Sequence, residues 1–127
     1  MSRTVLEPTA EHPITVEPTK GRVTARIGDK IVADSRSALT LQESTYPAVQ
    51  YIPLADVDQS LLSRTSTVTY CPYKGEANYY TVRTPGGDVL DDVIWTYDSP
   101  YPAVAEIAGH VAFYPDRAEV TVDEAGA

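Results

Sequence analysis

Apolar and polar residues alternate along most of this chain with the period of β-strands rather than of helices. In RVTARI, Arg22 to Ile27, the apolar Val23, Ala25 and Ile27 interleave with Arg22, Thr24 and Arg26. Gly28, Asp29 and Lys30 then turn the chain into KIVADS, a first hairpin. Further strands are predicted at VQYIP, STVTYC, ANYYTVR, VLDDVIWTY, GHVAFY and RAEVTV, rich in Val, Thr and Tyr and separated by Gly, Pro or Asp. Pro85-Gly86-Gly87-Asp88 is a strong turn between two of them. Two segments read instead as short helices. In DVDQSLL, Asp56 can cap a turn that buries Leu61 and Leu62; in PYPAVAEIAG, a first-turn proline precedes Ala103, Val104 and Ile107, with Gly109 as the stop. The pattern predicts a mostly β, compact antiparallel domain with one or two short helices.

The chain ends lack this alternation. Residues 1–19 are polar and carry Pro8, Pro13 and Pro18, so they read as an extended N-terminal arm; residues 20–122 form a single β domain, and residues 123–127 a flexible tail. Within the domain, Asp34 and Ser35 follow the apolar Ile31 and Val32. Their side chains bond neighbouring backbone amides, so they should end the strand and present Arg36 at a cleft.

The stretch TYCPYKGEANYY, Thr69 to Tyr80, concentrates the candidate chemistry. A four-residue loop Pro72–Gly75 would set Cys71 opposite Glu76, Tyr70 opposite Ala77 and Thr69 opposite Asn78; a loop one residue shorter would exchange these partners. Cys71 can be read as a nucleophile whose thiolate is favoured by the Lys74 ammonium. A carboxylate at Glu76 opposite the sulfur works against that, and no imidazole partner is evident, with His12 in the arm and His110 in a strand. The competing reading is a small half-buried hydrophobe at a strand end. Lys74 and Glu76 are either a solvated tip or groups aimed inward at a ligand.

Composition sharpens the picture. Nine tyrosines against one phenylalanine is lopsided, and each hydroxyl needs water or a partner, so some of these rings should line a wet concavity. Tyr46, Tyr51, Tyr73, Tyr79, Tyr97 and Tyr101 flank prolines or turns, where such a wall can form. Trp95, the sole tryptophan, is a core or rim residue. Across the 127 residues, 18 acidic against 10 basic side chains give a formal charge of −8, which repels phosphate backbones and anionic lipid heads. One cysteine makes no internal disulfide and no paired-cysteine zinc site, which fits a reducing cytoplasm. No apolar run approaches the roughly 20 residues that span a bilayer, and the N-terminus lacks a secretory leader pattern. Phosphate-binding loops, dinucleotide fingerprints and HExxH are absent. The carboxylate pairs Asp91-Asp92 and Asp56/Asp58 offer oxygen ligands, but such doublets are common on acidic surfaces, and neither metal nor cofactor is expected.

The run VADSRSALTLQESTYPAVQYIPLADVD, followed by TYCPYKGEANYYTV, VIWTYDSPYPAVAEIAGHVAFYPD and RAEVTV, closely resembles domain-of-unknown-function family 427 over about residues 20–122. The resemblance implies a compact all-β domain similar to the β-tent architecture. The family is sometimes filed as nucleotidyltransferase-like, yet the Gly-Ser pair and carboxylate triad of nucleotidyl transfer are not recognisable here. The paired cysteines that hold zinc in many β-tent relatives are also missing, so no structural metal carries over. The family's recurrent polar positions correspond to Asp34, Ser35, Arg36, Glu43, Tyr51, Asp56, Cys71, Lys74, Glu76 and Tyr97.

Three functional readings follow. The leading one is a domain that binds a small polar or zwitterionic, nucleoside-like metabolite in a Tyr-lined pocket through Arg36, Glu43, Tyr51, Lys74, Glu76 and Tyr97. The second is an enzyme acting through Cys71 or a Glu76/Lys74 acid–base pair. The third is a protein-interaction module without chemistry. Nucleic-acid and membrane binding are not expected, and the state is monomer or homodimer.

Overall fold

The computed structural model describes residues 3–124. Its strands are β1 (Ile14–Pro18), β2 (Arg22–Ile27), β3 (Lys30–Ser35), β4 (Leu39–Glu43), β5 (Val49–Pro53), β6 (Leu62–Cys71), β7 (Gly75–Arg83), β8 (Val89–Tyr97), β9 (His110–Phe113) and β10 (Glu119–Asp123). Every pairing between them is antiparallel. A seven-stranded sheet runs in the order β1-β4-β5-β9-β8-β7-β6, and a three-stranded sheet in the order β10-β2-β3. The protein is therefore mostly β, as the alternation predicted.

The central strands of the larger sheet are buried on both faces, which follows from their side chains pointing alternately to either side. Ile52, Ile94, Val111 and Phe113 join Val23, Ala25, Ile27 and Val32 of the smaller sheet in one core. The neighbouring residues Tyr51, Tyr97 and Ala112 join Leu41, Ala77, Tyr79, Val104 and Ile107 in a second core on the opposite face. Val104 and Ile107 come from a 3-10 segment, Pro102–Ile107, opened by the predicted proline. The candidate site lies on this second face.

Several expectations are corrected. The supposed arm contributes β1, which pairs with β4 from Ile14↔Glu43 to Pro18↔Leu39. As an edge strand, β1 tolerates Pro18 because only one side is bonded. β4 was not predicted, although Leu39 and Leu41 alternate with Thr40 and Gln42. Within DVDQSLL only Gln59–Leu61 is helical, a 3-10 turn capped by Asp58, whose side chain accepts from the Ser60 amide, while a separate 3-10 turn, Leu54–Asp56, ends at the first residue of that stretch. Asp56 instead accepts the Ser35 hydroxyl at 2.6 Å. Of the expected tail, Asp123 closes β10, and residues 125–127 lie outside the described residues.

The hairpin at Cys71 takes the shorter loop. Cys71 pairs with Gly75, Tyr70 with Glu76 and Thr69 with Ala77. The Lys74 amide donates to the Cys71 carbonyl at 3.2 Å, which closes the turn over Pro72 and Tyr73. Gly75 follows at φ 115°, so its left-handed backbone belongs to the first strand pair and not to the loop. The consequence is a change of faces. Thr69, Cys71, Ala77 and Tyr79 share the inner side, whereas Tyr70, Glu76 and Asn78 share the outer one.

Candidate functional site

A cavity of about 170 Å³ opens on the second face of the large sheet. Strand alternation builds most of its wall: Leu41 and Glu43 on β4, Val49 and Tyr51 on β5, and Trp95 and Tyr97 on β8 are each two residues apart and project to the same side. Tyr79 of β7, Tyr114 just after β9, Lys74 at the hairpin tip, and Tyr46 with Pro47 in the β4–β5 turn complete it. Tyr46 stands 58% exposed at the rim, while Tyr51 at 1% and Tyr97 at 7% form the buried wall.

Lys74 is buried, and its ammonium donates to Glu43 Oε1 at 2.5 Å. Glu43 Oε2 lies 2.8 Å from His12 Nε2, so both carboxylate oxygens are occupied. Burial pushes the Glu43 carboxyl up, but the hydrogen bonds and charges of Lys74 and His12 outweigh it and hold the group below its ordinary range. His12 is held in place by stacking on Tyr73, with ring centroids 4.3 Å apart and planes 10° from parallel. The backbone fixes the lysine as well: the Lys74 carbonyl accepts from the Tyr101 amide at 2.9 Å. Lys74 Nζ also lies 3.7 Å from Cys71 Sγ.

The aromatic wall carries its own hydrogen bonds. Trp95 Nε1 donates to the Tyr51 hydroxyl at 3.1 Å, with the two rings perpendicular at 6.4 Å. Tyr79 shares a 2.8 Å bond with Thr69 Oγ1 and a 3.5 Å contact with the Tyr114 hydroxyl. The Tyr97 hydroxyl has no hydrogen-bond partner among the described residues. No buried side-chain nitrogen or oxygen cut off from solvent is left without a partner there, so this hydroxyl opens on the cavity. Burial raises the Tyr51 and Tyr97 phenols far above their ordinary value, with smaller contributions from neighbours that include Cys71 and Glu43. Tyr114 is pushed up to about 12, again chiefly by burial. These phenols are protonated at neutral pH and act as hydrogen-bond donors.

Of the residues singled out from the sequence, Glu43, Tyr51, Lys74 and Tyr97 meet in this cavity, joined by Tyr46 and Tyr79. Glu76 does not. It lies on the outer face of the hairpin and pairs with Arg3 at 2.9 Å, so the Glu76/Lys74 acid–base pair is not assembled. Arg36 is exposed beyond the end of β3 and is not part of the wall. Ser35 is the last residue of β3, and its hydroxyl bonds Asp56 and accepts the Ser37 amide at 3.0 Å; Asp34 does not act as expected, since it pairs with Thr24 inside the ladder and its carboxylate is held by Arg22. Cys71 adjoins Lys74 and packs against the second core but does not line the cavity. Tyr73 stacks on His12, and Tyr101 bonds the Tyr70 hydroxyl at 2.7 Å.

The carboxylate pairs serve the sheet. Asp92 accepts the Thr65 and Thr67 hydroxyls, each at 2.7 Å, where β6 departs from regular register, and Asp58 accepts from Ser60 and lies 3.5 Å from Lys30. Among the described residues, no group of three His, Cys, Asp or Glu side chains is arranged to hold a metal ion. The sequence reading missed His12 and Tyr114. Tyr114 precedes Pro115 as Tyr46 precedes Pro47, a signal that was available; His12 had none, because its partner is 31 residues away.

The family model described as a domain of unknown function, DUF427, matches residues 15–124, and the chain belongs to that family. The match begins inside β1, in agreement with that strand being part of the sheet. A search of curated proteins gave no significant match.

Proposed function

We propose that this protein binds a small polar molecule in the tyrosine-lined cavity, with Glu43, Tyr51, Lys74 and Tyr97 as the polar contacts. One observation carries the reading: a lysine–carboxylate pair is withdrawn from solvent and set in the wall of an aromatic cavity. Such a pair adds little to stability, because desolvation offsets most of its attraction, and apolar residues of equal volume would hold the sheet as well. A cavity among large side chains likewise gives up protein packing. Both features are accounted for when a ligand occupies the space.

The size limits the ligand. An apolar cavity of about 150 Å³ holds one benzene, whereas drug-sized ligands take about 300 Å³ or more. This cavity, at about 170 Å³, suits an amino-acid-sized molecule or one ring of a nucleoside-like one, with the remainder leaving past Tyr46 and Pro47. The lone cysteine and acidic surface fit work in a reducing cytoplasm, as a monomer or homodimer.

The test is a thermal-shift screen of a metabolite library, with native mass spectrometry of the purified protein for a co-purifying ligand. Hits are confirmed by the fluorescence of Trp95, the chain's sole tryptophan and part of the cavity wall. A ligand at 100 times its Kd stabilises by about 2.7 kcal/mol, a shift of several degrees for a domain of this size. If no compound both raises Tm and perturbs Trp95, the reading is wrong.

A cysteine enzyme is the competing reading. The ammonium of Lys74 near Cys71 Sγ favours it, and Glu76 does not face the sulfur as the longer loop would require. Slow alkylation of Cys71 at neutral pH would remove it.

A further inference from the structure

Resting on the cavity as a binding site, the chemistry of the ligand follows from which hydrogen bonds the wall has left to give. Each Glu43 oxygen already has one partner, Lys74 for one and His12 for the other. The Tyr79 hydroxyl is engaged with Thr69 and Tyr114. The Tyr51 oxygen accepts from Trp95, yet its own proton has no acceptor among the described residues. The Tyr97 hydroxyl, in a side chain more than nine-tenths buried, is wholly uncommitted. An ammonium has three protons, and Lys74 directs one to Glu43 and one toward Cys71, which leaves one. Three protons of the wall are therefore unspent, on Tyr97, Tyr51 and Lys74, and an acceptor on the ligand would satisfy them.

Charge decides which acceptor. The positive charge of Lys74 is already matched by Glu43. A carboxylate would enter beside Glu43 with no unmatched cation, in a partly desolvated site where like charges repel far more than in water. An amine would bring a second cation beside the Lys74 ammonium. A carbonyl oxygen meets neither penalty. Trp95 and Tyr114, 4.6 Å apart at 50°, offer ring faces for a planar body.

We propose that the cavity recognises the uncharged carbonyl oxygen of a small planar molecule, which accepts from the Tyr97 hydroxyl with Tyr51 and Lys74 as neighbouring donors. The recognition is non-covalent.

The experiment titrates the full chain with benzamide, benzoate and benzylamine, which share one ring and differ in the polar end, and follows Trp95 fluorescence. A pH of about 8 keeps ordinary imidazoles neutral. Benzamide should give a saturable change, with benzoate and benzylamine at least about tenfold weaker. Tyr97→Phe should weaken benzamide by about three- to tenfold, the worth of one hydrogen bond, and leave the Tm of the free protein in place. Benzoate or benzylamine binding as tightly as benzamide, no response to benzamide, or an unchanged affinity in Tyr97→Phe would each overturn the proposal. The library screen separates the two levels. A ligand without a carbonyl that perturbs Trp95 leaves the binding site standing and removes the carbonyl rule, whereas silence across the library removes both.

Discussion

Replacing Lys74 with methionine keeps most of the length of the apolar stem and removes only the charge, which isolates the pair with Glu43. On a solvated hairpin tip the loss would be worth about 0.5 kcal/mol or less. Here the Lys74 and Glu43 side chains are 11% and 15% exposed, and removing one member of a buried pair costs about 3–5 kcal/mol because the other charge is stranded. Two features reduce that figure: Glu43 keeps His12 as a partner, and the cavity admits water to the carboxylate. We expect about 2 kcal/mol, between the surface and fully buried limits. Urea unfolding followed by Trp95 fluorescence measures it as a fall in midpoint at constant slope. A double-mutant cycle with Glu43→Gln assigns the loss to the pair, and a coupling of at least about 1 kcal/mol is expected. A Lys74→Met protein within about 0.5 kcal/mol of wild type would refute the reasoning, since the pair would then behave as a surface contact.

Acid provides an independent check on the same group. The folded Glu43 carboxyl titrates below its ordinary value, so its contribution to stability is complete above that value and is lost as pH falls through the folded one. Glu43→Gln should therefore flatten the decline of Tm below about pH 4.3. Gly75→Ala should cost about 1–2 kcal/mol in urea unfolding, because φ 115° is unfavourable for any residue with a Cβ. Ser35→Ala should cost about 2 kcal/mol by the same assay, since it removes a donor to the Asp56 carboxylate and the acceptor of the Ser37 amide in a buried position. A neutral result there would mean that the end of β3 is held by something other than this serine.

Much of the fold was legible because it is written locally. The pair β2–β3 is closed by a Gly-containing turn, β7 and β8 carry β-branched and aromatic residues up to Pro85-Gly86-Gly87-Asp88, and the proline and glycine around Pro102–Ile107 bracket its buried Val104 and Ile107. Besides the short interior strand β4, whose alternation was present, the missed strands were those whose sequence speaks weakly. β1 and the first half of β6 are edge strands, where one bonded side and a solvated face relax the demand for apolar alternation, and β1 carries the proline that argued for a loop.

The candidate site divides along the same line. Local sequence determined that the chain builds antiparallel sheets, that a tight turn follows Cys71, and that tyrosines outnumber what a dry core needs. Tertiary structure decided which polar residues share a cavity. Whether Gly75 belongs to the loop or to the first strand pair moves every following side chain to the other face, and that single step turned Glu76 out to Arg3 while Lys74 points in to Glu43. The partnership of Lys74 with Glu43 and His12 joins the hairpin tip, β4 and the segment before β1, across separations of 31 residues in each of its two bonds. Local propensity acts over a few residues along the chain. Burial acts through space, and only the packed sheet brings these three side chains out of water together.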